Sequence, residues 1–161
     1  MIRNGSDRLT KYESLTDQAA QMGLTVREKP LAGSDGRIYK NRIAIRKGMT
    51  DPEKVCVLAE EIGHHKTSTG DILDQEDESN RKQEYRARLW AYNHIIGLIG
   101  IIHAYEAGCK DRYEMADYFG VSEKYLKECL DCYKNKYGIY KIVDNYILYF
   151  YPYLRVVKII D

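Results

Sequence analysis

The sequence predicts an α+β fold in which a helix and a few short strands precede a charged helix, more helices follow, and a β-hairpin closes the chain. Three observations point there. Apolar residues recur at helical spacing over residues 8–22. They alternate as in strands over 24–31 and 37–47. Glycines then punctuate a run of helix-forming segments. A chain of 161 residues suits one domain, or one core with a small appendage.

Each element has its own signal. In "RLTKYESLTDQAAQM" (8–22), Leu9, Tyr12, Leu15, Ala19 and Met22 share one helical face, and Gly23 ends the run. "LTVREKPL" (24–31) alternates as a strand, "GSDG" (33–36) is a turn, and "RIYKNRIAIRK" (37–47) offers one longer strand or two short ones. "GMTDPEK" (48–54) starts a helix: Thr50 or Asp51 can cap it, Pro52 suits its first turn, and its acids favour the helix dipole. "TSTGD" (67–71) breaks that helix, and residues 74–93 form a polar entry into a second. Helices are expected around 96–107, 112–119 and 122–136, separated by Gly108, Gly120 and Gly138. Residues 139–160 read as a strand, an Asp144-Asn145 turn, a second strand, and an extended piece after Pro152. The expected organisation is an α+β part over 1–93 and a helical part over 94–161 that ends in a tyrosine-rich hairpin.

Composition narrows the function classes. Hydrophobic residues make up 44% and charged residues 30%, so the chain can bury a core. A net charge of +1 supplies no bulk field toward nucleic acid, which is therefore not an expected partner. The N-terminus lacks the apolar core of a secretory signal, and "IIGLIGII" (95–102) is far shorter than the roughly 20 residues of a membrane span. Four cysteines without framework spacing fit a reduced, cytoplasmic protein that has no membrane partner. Tyrosine is over-used, with 15 copies against two Phe and one Trp. Tyrosines fill half-buried faces while keeping their hydroxyls wet, and they also suit a partner-binding surface.

The chemistry concentrates in "LAEEIGHHKTSTGD" (58–71). Residues i and i+4 of a helix lie one above the other, so Glu60 and His64 can grip one ion without bending the backbone. Glu61 projects about 100° round from Glu60, where it can serve as a general base toward water held at the site. The alternative register, Glu61 with His65, would put Ile62 in the base position. Val55, Leu58, Ala59 and Ile62 form an apolar stripe, and a plain surface helix would carry its acids on the opposite face in the same way. A third ligand must come from elsewhere. Glu84 is the first candidate, followed by Ala87 and Ala91, small residues that would let its helix approach another closely. Asp71 is the second. Taken alone, Glu84 reads first as an i, i+4 ion-pair partner of Arg88, and Asp71 as a turn residue after Gly70.

With "LAEEIGH" at 58–64 and "EYRARLWA" at 84–91, the chain resembles the ImmA/IrrE family of metallo-endopeptidases. The family pattern is L-A-H-E-x-G-H on one helix and E-x-x-A-x-x-(F/W)-A on the next, and Glu84, Ala87, Trp90 and Ala91 fall in step with the second. The resemblance is strongest over 50–92. It reaches more loosely to the N-terminal elements and to "EMADYFGVSEKYL" (114–126), which is similar to the family's helix-turn-helix-like part. It implies a zincin-like helix–strand layer with a metal-binding helix, Glu60, His64 and Glu84 as metal ligands, and Glu61 as general base. His65 would contact substrate or the oxyanion. The implied cofactor is Zn²⁺. Because Glu60 stands where the family has His, a harder ion such as Mn²⁺ is the alternative. The implied activity is cleavage of a helix-turn-helix repressor of a phage or mobile element. The rival readings are an antirepressor that binds without cutting, and a DNA-binding regulator that retains a peptidase relic.

Two further signals carry less. Residues 123–136 set Lys124, Lys127, Lys134 and Lys136 against Glu123, Glu128 and Asp131 and hold no base-reading Arg, so the segment reads as structural or protein-docking. "CLDC" (Cys129, Cys132) is a lone pair on a helix, read as packing, as are Cys56 and Cys109.

Overall fold

The structure is a computed structural model that describes residues 8–68 and 77–160. Among the described residues are six helices and two three-stranded sheets in an α+β arrangement. None of these helices is long and apolar enough to cross a membrane.

Helix α1 (Lys11–Gln21) starts at a reciprocal cap. Thr10 Oγ1 accepts from Glu13 N–H, and the Glu13 carboxylate accepts from Thr10 N–H. Its Leu15 and Ala19 are buried. Three strands follow: β1 (Thr25–Lys29), β2 (Gly36–Tyr39) and β3 (Arg42–Arg46), in the order β1-β3-β2. The segment 37–47 thus divides into two short strands, turned at Lys40, whose φ is 54°. β3 runs parallel to β1, with Val26 opposite Ile43, and antiparallel to β2. Strand alternation sends Ile43 and Ile45 of this central strand into the core. β2 is left as an edge.

Helix α2 (Asp51–Thr67) repeats the reciprocal cap, with Thr50 as N-cap and Glu53 three residues on. Val55, Leu58, Ala59 and Ile62 are buried, as the stripe predicts, and each fully buried Leu or Ile contributes about 1.5–3 kcal/mol. Helix α3 (Asp77–Ile95) packs along α2 and buries Ala87 and Ala91.

Helices α4 (Leu98–Glu106), α5 (Arg112–Phe119) and α6 (Glu123–Tyr137) come next. Asp111 caps α5 and Ser122 caps α6. Gly120 closes α5 in the left-handed region, with φ 69°, which an L side chain adopts only under strain. The antiparallel meander β4 (Tyr140–Val143), β5 (Tyr146–Tyr149) and β6 (Arg155–Lys158) ends the chain, with Asp144-Asn145 as its two-residue turn. Asp144 has φ 51°, a conformation that Asp tolerates better than most residues. Buried residues from Leu15 to Phe150 join one cluster that draws on both halves of the sequence.

Candidate metal centre

The site is set by how closely two helices approach. Gly63 of α2 faces the backbone of Ala87 on α3, and a Cβ placed on Gly63 would lie 2.3 Å from the Ala87 carbonyl oxygen. Only glycine fits there. With the backbones this close, side chains flanking the contact on both helices meet along its margin. Glu60 and His64 come from successive turns of α2, and Glu84 comes from α3, one turn before Ala87.

These three converge. One ligand atom from each of Glu60, His64 and Glu84 lies within 4.8 Å of the others. His64 Nε2 is 3.5 Å from Glu84 Oε2, too long for a good hydrogen bond but near the roughly 3.3 Å that separates two ligands of a tetrahedral ion with bonds of about 2.0–2.1 Å. The donor set, one imidazole and two carboxylates, is competent for zinc, and its harder oxygen share also suits manganese. Three protein donors, each half-exposed or partly buried, leave a fourth position of a four-coordinate ion for water or substrate.

Glu61 lies on the neighbouring face of α2, under the edge strand β2. A Cβ at Gly36 would meet Glu61 Oε1 at 3.1 Å and Val57 Cγ1 at 2.5 Å. This cover pushes the Glu61 carboxyl up to about 7, through desolvation first; His64 opposes the shift, and Glu60 and Glu84 add to it. His65 is half-buried one residue beyond His64 and is not one of the converging three. Asp71 lies outside the described residues.

Arg88 plays a part that its spacing from Glu84 does not announce. Instead of pairing within α3, its Nε reaches to 3.9 Å from Glu60 Oε1 on α2, while Glu84 turns to His64. Both pairs therefore cross the helix seam. The i, i+4 spacing on α3 signals a pairing, but not the partner that is taken. The four cysteines are free, as expected for packing residues. Burial pushes the Cys56 thiol up to about 11, so it is a poor nucleophile near neutral pH.

Residues 19–130 match the family Peptidase_M78, described as the IrrE N-terminal-like domain. The chain belongs to this peptidase family. The IrrE-like match covers more than two thirds of the chain, from the end of α1 into α6, and so contains Glu60, Glu61, His64 and Glu84. Strands β4, β5 and β6 lie beyond the IrrE-like span. Among curated proteins and solved structures, none matches the chain.

Proposed function

We propose that the protein is a metal-dependent endopeptidase acting in the cytoplasm on a helix-turn-helix repressor of a phage or mobile element. The observation that carries this reading is the convergence of Glu60, His64 and Glu84 with Glu61 beside them. Membership of a peptidase family supports peptide-bond hydrolysis and a protein substrate. Glu60, His64 and Glu84 would hold zinc, or manganese in its place. A bound divalent ion supplies Lewis-acid polarisation of a carbonyl and acidification of water.

The chain's own groups do the rest. Glu61 takes a proton from the attacking water and returns it to the leaving amine. Its desolvated position beneath β2 makes it a stronger base than an exposed carboxylate, and positive charge placed among the three ligands would keep it ionised. The outer edge of β2 offers unpaired backbone groups next to Glu61, along which an extended substrate segment can lie. His65 is the nearest additional donor along α2 for the oxyanion or the substrate. Residues 1–93 then form the catalytic layer, and 94–161 a part that engages the partner.

A second reading is favoured by one observation. The Arg88 guanidinium lies beside Glu60, so this carboxylate has a cationic partner without any metal. That suits an antirepressor that binds its target without cutting it. Glu61→Gln separates the two. With the repressor as substrate, hydrolysis should fall by about 10²–10⁴-fold while zinc content by elemental analysis stays at the wild-type level. If the variant inactivates the repressor as well as wild type does, with no fragments formed, the protein sequesters and does not cut.

A further inference from the structure

A groove of about 850 Å³ runs between α5, α6 and the C-terminal sheet. None of its lining residues comes from α2 or α3, so it is separate from the metal centre. One wall consists of Leu154, Arg155, Val156 and Val157, four consecutive residues of β6 and its approach. Strand side chains alternate between faces, so a groove that touches four in a row views the strand edge-on. β6 is an outer strand, in the order β4-β5-β6. Ile159 N–H donates to Asn145 C=O, and in that register Val157 and Arg155 turn their backbone groups toward β5. Val156, between them, turns its N–H and C=O outward.

The groove is also charged. Lys110, Arg112, Lys127, Lys134 and Arg155 line it, against Asp111 and Asp131. Both acids are engaged: Asp111 accepts from Glu114 N–H at the start of α5, and Asp131 pairs with Lys127 at 3.2 Å. Arg155 lies over the rings of Tyr149 and Tyr153, which holds its guanidinium at the groove rim. Five cations against two acids thus flank a strand edge that no other strand pairs among the described residues, on a chain whose net charge is only +1.

We propose that this groove docks an extended, acidic segment of a partner protein, which adds as a fourth strand to β4-β5-β6. Main-chain pairing to the edge would give affinity, and the cations would select acidic side chains. A second copy of this chain would bring the same cations to the same edge, so charge opposes self-pairing. Nucleic acid would use the cations but not the strand edge.

The test is fluorescence anisotropy with a short capped peptide alternating Val and Glu. The acidic peptide should bind, and its counterpart alternating Val and Lys should bind at least about tenfold more weakly. N-methylation of alternate amides in the acidic peptide should abolish binding, because it removes the main-chain donors. The variant carrying Lys110→Glu and Arg112→Glu should lose the acidic peptide and gain the lysine peptide, an exchange that misfolding cannot produce. Equal binding of the two charge types, or undiminished binding of the N-methylated peptide, would overturn the proposal. So would oligo-deoxythymidine displacing the acidic peptide at equal concentration, or a concentration-dependent dimer that the peptide does not dissociate.

Discussion

The seam between α2 and α3 and the seam between α6 and the C-terminal sheet are built from opposite kinds of residue. The first is lined with Gly63, Ala87 and Ala91, and its backbones nearly touch. The second is filled by rings, with Tyr133 and Tyr137 of α6 each 6.2 Å from Phe150 by ring centroid. Small residues remove the spacer between helices, so polar side chains at the margin of the contact are forced together. Large rings keep elements apart and fill the gap with apolar area. The candidate chemistry sits at the first seam, where close approach aligns donors from two helices. The second seam does the work of a core and, among the described residues, leaves the β6 edge of its sheet unpaired for another role.

That contrast breaks most readily at Gly63. Gly63→Ala should force α2 and α3 apart at the Ala87 carbonyl and cost about 2–3 kcal/mol in urea unfolding, despite alanine's better helix propensity. On the proposed reading, retention of added zinc should fall with it, because Glu84 would move away from His64. A variant of wild-type stability and zinc content would mean that close approach does not set the site. A smaller effect is expected at the aromatic seam. Tyr133 is fully buried and its hydroxyl donates to Asn93 Oδ1 at 2.7 Å, tying α6 to α3. Tyr133→Phe should cost about 1 kcal/mol while zinc retention stays unchanged, since the ring and its packing remain. A loss of zinc in that variant would show that the two seams are coupled.

The two seams also differed in how well the sequence announced them. Helix α2 was readable because its period, its apolar stripe and its Thr50 and Glu53 capping pattern all agree. The approach of Glu84 to His64 was readable because Ala87 and Ala91 signal a close helix contact. The Asp144-Asn145 turn and the strands around it were readable from turn chemistry. Other features depend on tertiary placement that no local pattern encodes. The parallel pairing of β1 with β3 sets β2 at the edge beside Glu61, and the alternation within each strand is the same whichever neighbour it takes. Arg88 is the sharpest case. Its spacing fits an ion pair with Glu84, yet the seam offers each of them a partner on α2. The tyrosines signalled aromatic packing, but not which edge of their sheet would stay open.

Arg88 offers a smaller perturbation of the first seam. Its guanidinium is exposed and 3.9 Å from Glu60, so it competes for that carboxylate and repels a cation bound there. Arg88→Gln should tighten zinc binding by about threefold in chelator competition, within the range for exposed charge pairs. Weaker binding in the variant would mean that Arg88 instead holds Glu60 in its ligating position.

The smallest effect is expected at the far end of α3, where the helix docks on α1 away from the ligands. His94 Nε2 is 2.7 Å from Gln18 Oε1, an acceptor, so the ring nitrogen donates. The ring stacks on Trp90 with centroids 4.6 Å apart. Burial first, and then the positive charge of Lys66, hold the His94 pKa below its ordinary 6.5. The unfolded chain therefore takes up a proton at a higher pH than the folded one. The contribution to stability is complete above pH 6.5 and is lost as pH falls from there through the folded-state value. Gln at this position keeps a donor toward Gln18 and cannot titrate. The stability of His94→Gln should accordingly decline less than that of wild type as pH falls below about 6.5. Parallel declines in urea midpoint across that range would show that His94 is as free to protonate in the folded protein as in the unfolded one, and that this end of α3 is looser than the seam at Gly63.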